Sequence, residues 1–121
     1  MPLEGRDVTR LTDMLHYASL AHQVLADRTI KVFTADEVAK LALTRCVEVI
    51  GEAGHSVSPA TKALLPMVPW HMMYGMRNRI IHDYGNTDYD IVYKVVSEEL
   101  PTLVEHITSL LVQHGYSVDS R

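Results

Sequence analysis

The sequence predicts an all-α fold, a helical bundle, on three observations. Apolar residues recur at spacings of three and four along most of the chain, the period of one helix face. No segment alternates convincingly at period two, as a half-buried strand would. Capping residues, prolines and glycines divide the apolar stripes into pieces of helix length with short connections.

Val8, Leu11, Leu15, Ala18, His22 and Leu25 place one face on a first helix running from Asp7 to Ala26. A second helix is predicted to open with a capping box, Thr34 as the cap and Glu37 three residues on, while Phe33 and Val38 form a hydrophobic staple. It carries two stripes: Val38, Leu41, Ala42, Cys46, Val49 and Ala53 form one, and Ala39, Leu43, Val47 and Ile50 the other. A helix apolar on two sides is buried on two sides. Either it occupies a central place in the bundle or one stripe faces another subunit, and the sequence leaves both open.

Gly54 ends that helix region, and Ser58 with Pro59 reads as the cap and first position of a short helix reaching Leu65. Pro66 and Pro69 punctuate the stretch after it. A fourth helix runs from Pro69 through Trp70, Met73, Met76 and Ile80, with Gly85 and Asn86 as its stop. Asp88 caps a fifth, long helix carrying Ile91, Val95, Leu103, Ile107, Leu110 and Leu111. Pro101 interrupts it: proline removes a backbone donor and clashes with the preceding turn, so this helix should bend or restart near Leu100.

At 121 residues the chain reads as one domain, residues 1–121, long enough to bury roughly two-thirds of the surface of its unfolded form. Cys46 is the sole cysteine, which excludes disulfides and cysteine-based metal sites within one subunit and fits a reducing, cytoplasmic setting. The first residues carry Glu4, Arg6 and Asp7 with no apolar core after them, and no apolar run approaches the roughly 18 residues of a membrane helix, so neither export nor membrane insertion is expected. The net charge of -4 argues against a protein that coats nucleic acid nonspecifically; any such contact must be local. The seven histidines are scattered, there is no His-Glu-x-x-His and no pair of aspartates at ligand spacing, so no metal and no cofactor is predicted.

The chemistry concentrates in Met76 to Tyr84, where cationic and polar groups crowd an otherwise apolar helix. At about 100° per residue, Arg77 falls within the stripe of Met73, Met76 and Ile80, so an arginine sits on the core side. A guanidinium keeps its charge and needs a carboxylate such as Glu52, a cleft or a subunit boundary to receive it. On the same ideal helix His82 lies about 140° from Arg77, too far round for both to serve one small site. Either the helix loosens before His82, or two subunits each contribute groups to a shared cleft. Taken alone, His82 reads as a surface or capping histidine at a helix C-terminus, and Tyr84 as a ring packed at a helix end. Arg79, His71 and Lys94 add a local cationic patch.

Arg77 through Tyr84 resembles the Arg, four residues, His, one residue, Tyr signature of HepT-like toxins in the HEPN superfamily, with Asn78 in the second place. Val49-Ile50-Gly51-Glu52-Ala53 is similar to the family's second-helix segment. Pro66, Pro69 and Trp70 are similar to its Pro-x-x-Pro-Trp approach to the catalytic helix, and Leu100-Pro101 to its Leu-Pro step. The resemblance implies an up-and-down bundle of four main helices plus a short one that forms a homodimer, with the signature helices lining a cleft at the interface.

It further implies metal-independent cleavage of an RNA substrate: His82 as general acid or base, Arg77 holding the phosphate, and Asn78 orienting the pair. The partner it implies is a minimal nucleotidyltransferase of the MntA type, the antitoxin of a type VII toxin–antitoxin pair, which adenylylates the signature tyrosine, here Tyr84. The competing readings are a noncatalytic helical module, in which Arg77 and His82 grip a nucleotide within a nucleotidyltransferase complex, and a purely structural helical dimer with Arg77 in an ion pair.

Overall fold

The computed structural model describes residues 2–82 and 87–118, with all their side chains except those of Ile81 and His82. The helices are α1 (Gly5–Leu25), α2 (Ile30–Thr34), α3 (Glu37–His55), α4 (Pro59–Leu64), α5 (Trp70–His82), α6 (Tyr89–Lys94) and α7 (Leu100–Gln113), with a π-helical turn at Val95–Glu99 between the last two. Among the described residues there is no strand, and the all-α helical bundle holds. None of these helices is long and apolar enough to cross a membrane.

The bundle is built around α3, which packs on α1 along one side and on α5 along the other, while α7 and the π turn close against α1. Its Leu43 is fully buried together with Leu11 and Met14 of α1 and Ile107 of α7. Of the two places left open for the second long helix, it takes the central one within the chain, with a qualification. Ala39, Leu43, Val47 and Ile50 are all buried, and so are Cys46 and Ala53 of the other stripe, but that stripe's first members, Val38 and Leu41, are 76% and 66% exposed. Burial on two sides begins only halfway along the helix. Cys46 packs inside it, and burial pushes its thiol pKa up, so the thiol behaves as a small apolar group.

The start of α3 differs from the expected capping box. Thr34 belongs to the end of the short helix α2, whose own cap is Thr29, and its hydroxyl donates back to the Ile30 carbonyl at 2.9 Å. Asp36 caps α3 instead, accepting from the Ala39 amide at 3.1 Å. The staple does not form either: Phe33 is fully buried, but against Tyr89 and Tyr93 of α6 rather than against the exposed Val38. An aspartate next to the helix start outcompetes a threonine two residues earlier, because a carboxylate is as good a cap and also complements the helix dipole.

In α1 the buried face is Leu11, Met14, Ala18, Ala21 and Leu25; His22 is exposed and Leu15 only half-buried. Ser58 caps α4 and Pro59 opens it, as expected. Asp88 caps α6 through the Asp90 and Ile91 amides. The break at Pro101 takes a specific form: α6 runs into the π turn, and α7 restarts at Leu100 with Pro101 in its first turn. Passing through that wider turn, the buried residues are Val92, Val96, Leu100 and Leu103, so Ile91 is left exposed where it was expected inside.

One buried charge ties the start of α1 to the start of α4. Asp7 is 2% exposed, yet its carboxylate accepts from the Ser58 amide at 2.9 Å and from the hydroxyls of Ser58 and Thr61. Burial alone would raise its pKa, but the hydrogen bonds from Ser58 and Thr61 outweigh it and hold the carboxyl below its ordinary value. Asp7→Asn, which cannot accept all three bonds, should cost about 2 kcal/mol at pH 7 in a urea titration, the range for hydrogen bonds to a charged group. Because the folded-state pKa is depressed, this contribution is fully present above about pH 4 and is lost as the pH falls through the depressed value. The difference between wild type and Asp7→Asn should therefore shrink on acidification.

Candidate active site

Helices α3 and α5 are antiparallel, and two cross-links fix their register: Glu52 faces Arg77, and three residues on in α3 and three back in α5 His55 faces Tyr74. The helices approach so closely here because position 51 is glycine. A Cβ on Gly51 would lie 2.7 Å from the Cβ of Arg77 and 2.9 Å from the Met73 carbonyl oxygen, closer than atoms can pack. Neither neighbour can swing away, since one is backbone and the other is the root of a side chain. On the same face of α5, Met73, Met76 and Ile80 pack against the core, as their period required.

Arg77 consequently enters the crevice between the two helices, on the core side. Its Nη2 pairs with Glu52 Oε2 at 2.7 Å, and its Nη1 donates to Asn78 Oδ1 at 2.8 Å. The choice left open between an ion pair and a cleft resolves as both, for the guanidinium is also part of the wall of a polar groove of about 300 Å³. The other walls come from α1 (Arg10, Asp13), from α3 (Arg45, Glu48, Glu52) and from Ser56 just after it. The side chain of Glu52 is 53% exposed and that of Arg77 24%. An ion pair this open to water adds at most about 1 kcal/mol, so it orients the guanidinium more than it stabilises the fold. The five donors of an arginine are more than Glu52 and Asn78 engage, and the remainder can take an anionic oxygen.

The groove's other cations, Arg10 and Arg45, come from parts of the sequence that no motif marked. Each is far from the signature in the chain and reaches it only through the packing of α1 and α3. Arg45 is itself within 3.7 Å of Glu48. Arg79 lines a separate depression with Met76, Ile80 and Ile91, while His71 and Lys94 are exposed elsewhere. The Tyr74 ring beside Arg77 also went unremarked in the sequence, although its spacing of three from Arg77 could have flagged it.

His82 is the last residue of α5, and only its backbone is described. The helix stays in the α form up to that point, so loosening before residue 82, one of the two ways to bring it towards Arg77, does not occur in the described residues. Tyr84 and the stop at Gly85 and Asn86 lie outside the described residues.

An all-helical bundle whose central crevice receives an arginine from a polar signature helix defines a class of small helical proteins. Comparison with known proteins places this chain within it. The family model described as Ribonuclease HepT-like matches residues 14–110, and the chain belongs to that family. It is 32% identical over 106 residues to a Methanocaldococcus jannaschii protein provisionally named as an RNase, covering 87% of this chain and 97% of that one. It is 31% identical over 93 residues to a Thermococcus cleftensis protein named, again provisionally, ribonuclease HepT, covering 77% of this chain and 84% of the relative. A Caldanaerobacter subterraneus protein, also provisionally an RNase, is 32% identical over 79 residues, covering 65% of this chain and 70% of the relative. No solved structure matches.

Alanine at two glycines should separate the crevice from general helix propensity. Gly51→Ala is expected to cost about 1–3 kcal/mol, as overpacking of a tight contact does. Gly75→Ala, where an added Cβ meets nothing within 4 Å, should stabilise α5 by about 0.5–1 kcal/mol. Chemical denaturation of both variants beside wild type checks the pair.

Proposed function

We propose that this protein is a ribonuclease and the toxin of a type VII toxin–antitoxin pair. The observation that carries the reading is the placement of Arg77: the signature arginine stands in a polar groove with its fork oriented by Glu52 and Asn78 and with donors to spare. In this reading Arg77 holds the scissile phosphate and stabilises the charge that develops on it. Asn78 acts through Arg77 as a positioning residue. His82 moves the proton of the ribose 2'-hydroxyl or of the leaving oxygen, because an imidazole exchanges protons near neutral pH. Attack by the 2'-oxygen on phosphorus expels the 5'-oxygen and leaves a cyclic phosphate, a route that requires no metal ion.

The helical backbone up to His82 bears on how the two groups meet. About 140° separates residues five apart on an α-helix, so one subunit does not present positions 77 and 82 to the same side. The reading therefore includes a homodimer in which Arg77 of one subunit and His82 of its partner share a cleft. Its natural inhibitor is an MntA-like nucleotidyltransferase that transfers AMP to the Tyr84 hydroxyl. The added phosphate lies two residues from His82 in sequence and excludes RNA by occupancy and by charge.

The Arg77–Glu52 pair also fits a noncatalytic module, in which that arginine is structural or grips a nucleotide. Expression of the chain alone in bacteria distinguishes the two. Wild type should arrest growth and, purified in the presence of a chelator, cut total RNA. His82→Ala and Arg77→Met should each lose at least about a hundredfold in cleavage, the usual contribution of a general acid–base group or of a charge-stabilising one. Tyr84→Phe should stay toxic beside the nucleotidyltransferase. Equal silence of folded wild type and His82→Ala would leave the binding module as the better reading.

A further inference from the structure

Two rings beside the groove have no part in cleavage by Arg77 and His82. His55 is the last residue of α3, and Tyr74 lies one turn before Arg77 on α5. Their rings stack nearly parallel, with centroids 3.7 Å apart and planes 11° from each other. The Arg77 Cζ lies 5.5 Å from the centre of the same Tyr74 ring. Imidazole and phenol thus form a stacked pair, with the Arg77 guanidinium over the phenol ring.

The His55 end of this pair reaches solvent. His55 is exposed, and among the described residues no hydrogen bond holds its imidazole; the stack alone orients it. A cation stands beside that end as well: the Lys62 ammonium donates to the His55 carbonyl at 3.2 Å and lies 5.8 Å from the Trp70 ring centre. An exposed ring backed by a second ring, with a lysine at its backbone carbonyl and an arginine beside the tyrosine behind it, offers what a single-stranded nucleotide needs: a face for its base and charge for its phosphates.

We propose that His55 and Tyr74 form a stacking platform for one base of single-stranded RNA, next to the nucleotide whose phosphate Arg77 holds. The proposal rests on the ribonuclease reading and adds a subsite to it. Because every base has a π-face, the platform demands that a base be present at one position without selecting which. Lys62 neutralises the adjoining phosphate. His55 and Tyr74 would act on where RNA lies, not on the proton transfers.

The test uses the full chain carrying His82→Ala, which binds RNA without cutting it, and single-stranded oligonucleotides in which one abasic nucleotide is moved step by step. Removing the base at one position should weaken binding about tenfold, whichever base stood there. With His55→Ala added, affinity for the intact oligonucleotide should fall by a similar factor and the abasic penalty should vanish, while His55→Phe, which keeps a ring, should restore both. In the chain with His82 intact, His55→Ala should raise KM about tenfold rather than lower kcat. An abasic penalty that is absent from the parent, or that persists after His55→Ala, overturns the platform, as does a KM within twofold of wild type. If His55→Ala cuts RNA with an unchanged KM, only the platform falls; if wild type neither binds nor cuts RNA, the ribonuclease reading falls with it.

Discussion

The contact between α3 and α5 at Gly51 is the constraint on which the site depends. Any side chain at position 51 would push Arg77 and the Met73 carbonyl outward. The Glu52–Arg77 pair and the His55–Tyr74 stack join the same two helices three residues apart, so one displacement would disturb both. Neither cross-link is strong enough to impose the approach: an ion pair half open to water contributes about 0–1 kcal/mol, and a ring pair about 0.5–1.5 kcal/mol. Packing of α3 against α1 and α5 sets the geometry, and the polar contacts orient what packing has already placed.

The groove around Arg77 is close to neutral, with Arg10 and Arg45 set against Asp13, Glu48 and Glu52. A chain with a net charge of -4 cannot draw RNA in by its overall field. In the proposed reading, recognition comes from short-range contacts: the spare donors of Arg77, the local lysine at position 62 and the exposed ring of His55. Such contacts favour an exposed single strand over a duplex, whose bases are already stacked on one another.

Much of the fold could be read in the sequence because helix period and punctuation agree. Pro59, Asp88 and Pro101 mark boundaries that the structure keeps, and the stripe of Leu43, Val47 and Ile50 is the core of α3. The errors fall where two local signals compete. Thr34 and Asp36 are both good caps two residues apart, and only tertiary placement of Phe33 against α6 makes the first the end of one helix and the second the start of the next. Ile91 and Val92 are equally apolar neighbours, and the adjoining π turn decides which faces inward. At the site, the signature singled out Arg77 and Asn78, and Glu52 stood among the carboxylates that could receive the arginine. Arg10, Arg45 and the His55–Tyr74 stack were hidden because each joins segments distant in the chain, and side-chain identity alone carries no trace of that meeting.

An α5 held straight against α3 carries positions 77 and 82 to different sides of one helix, which is why the proposed site needs two subunits. Mixing inactive chains measures this directly. Arg77→Met and His82→Ala, each silent alone, are unfolded together, refolded as an equimolar mixture and assayed for RNA cleavage with a chelator present. A cleft shared between subunits gives each mixed dimer one site with both Arg77 and His82 intact, so about a quarter of wild-type activity should return, since half of the dimers are mixed and each has one working site. If mixed dimers form and no activity returns, Arg77 and His82 act within a single subunit, and the straight helix cannot be the reason for the dimer.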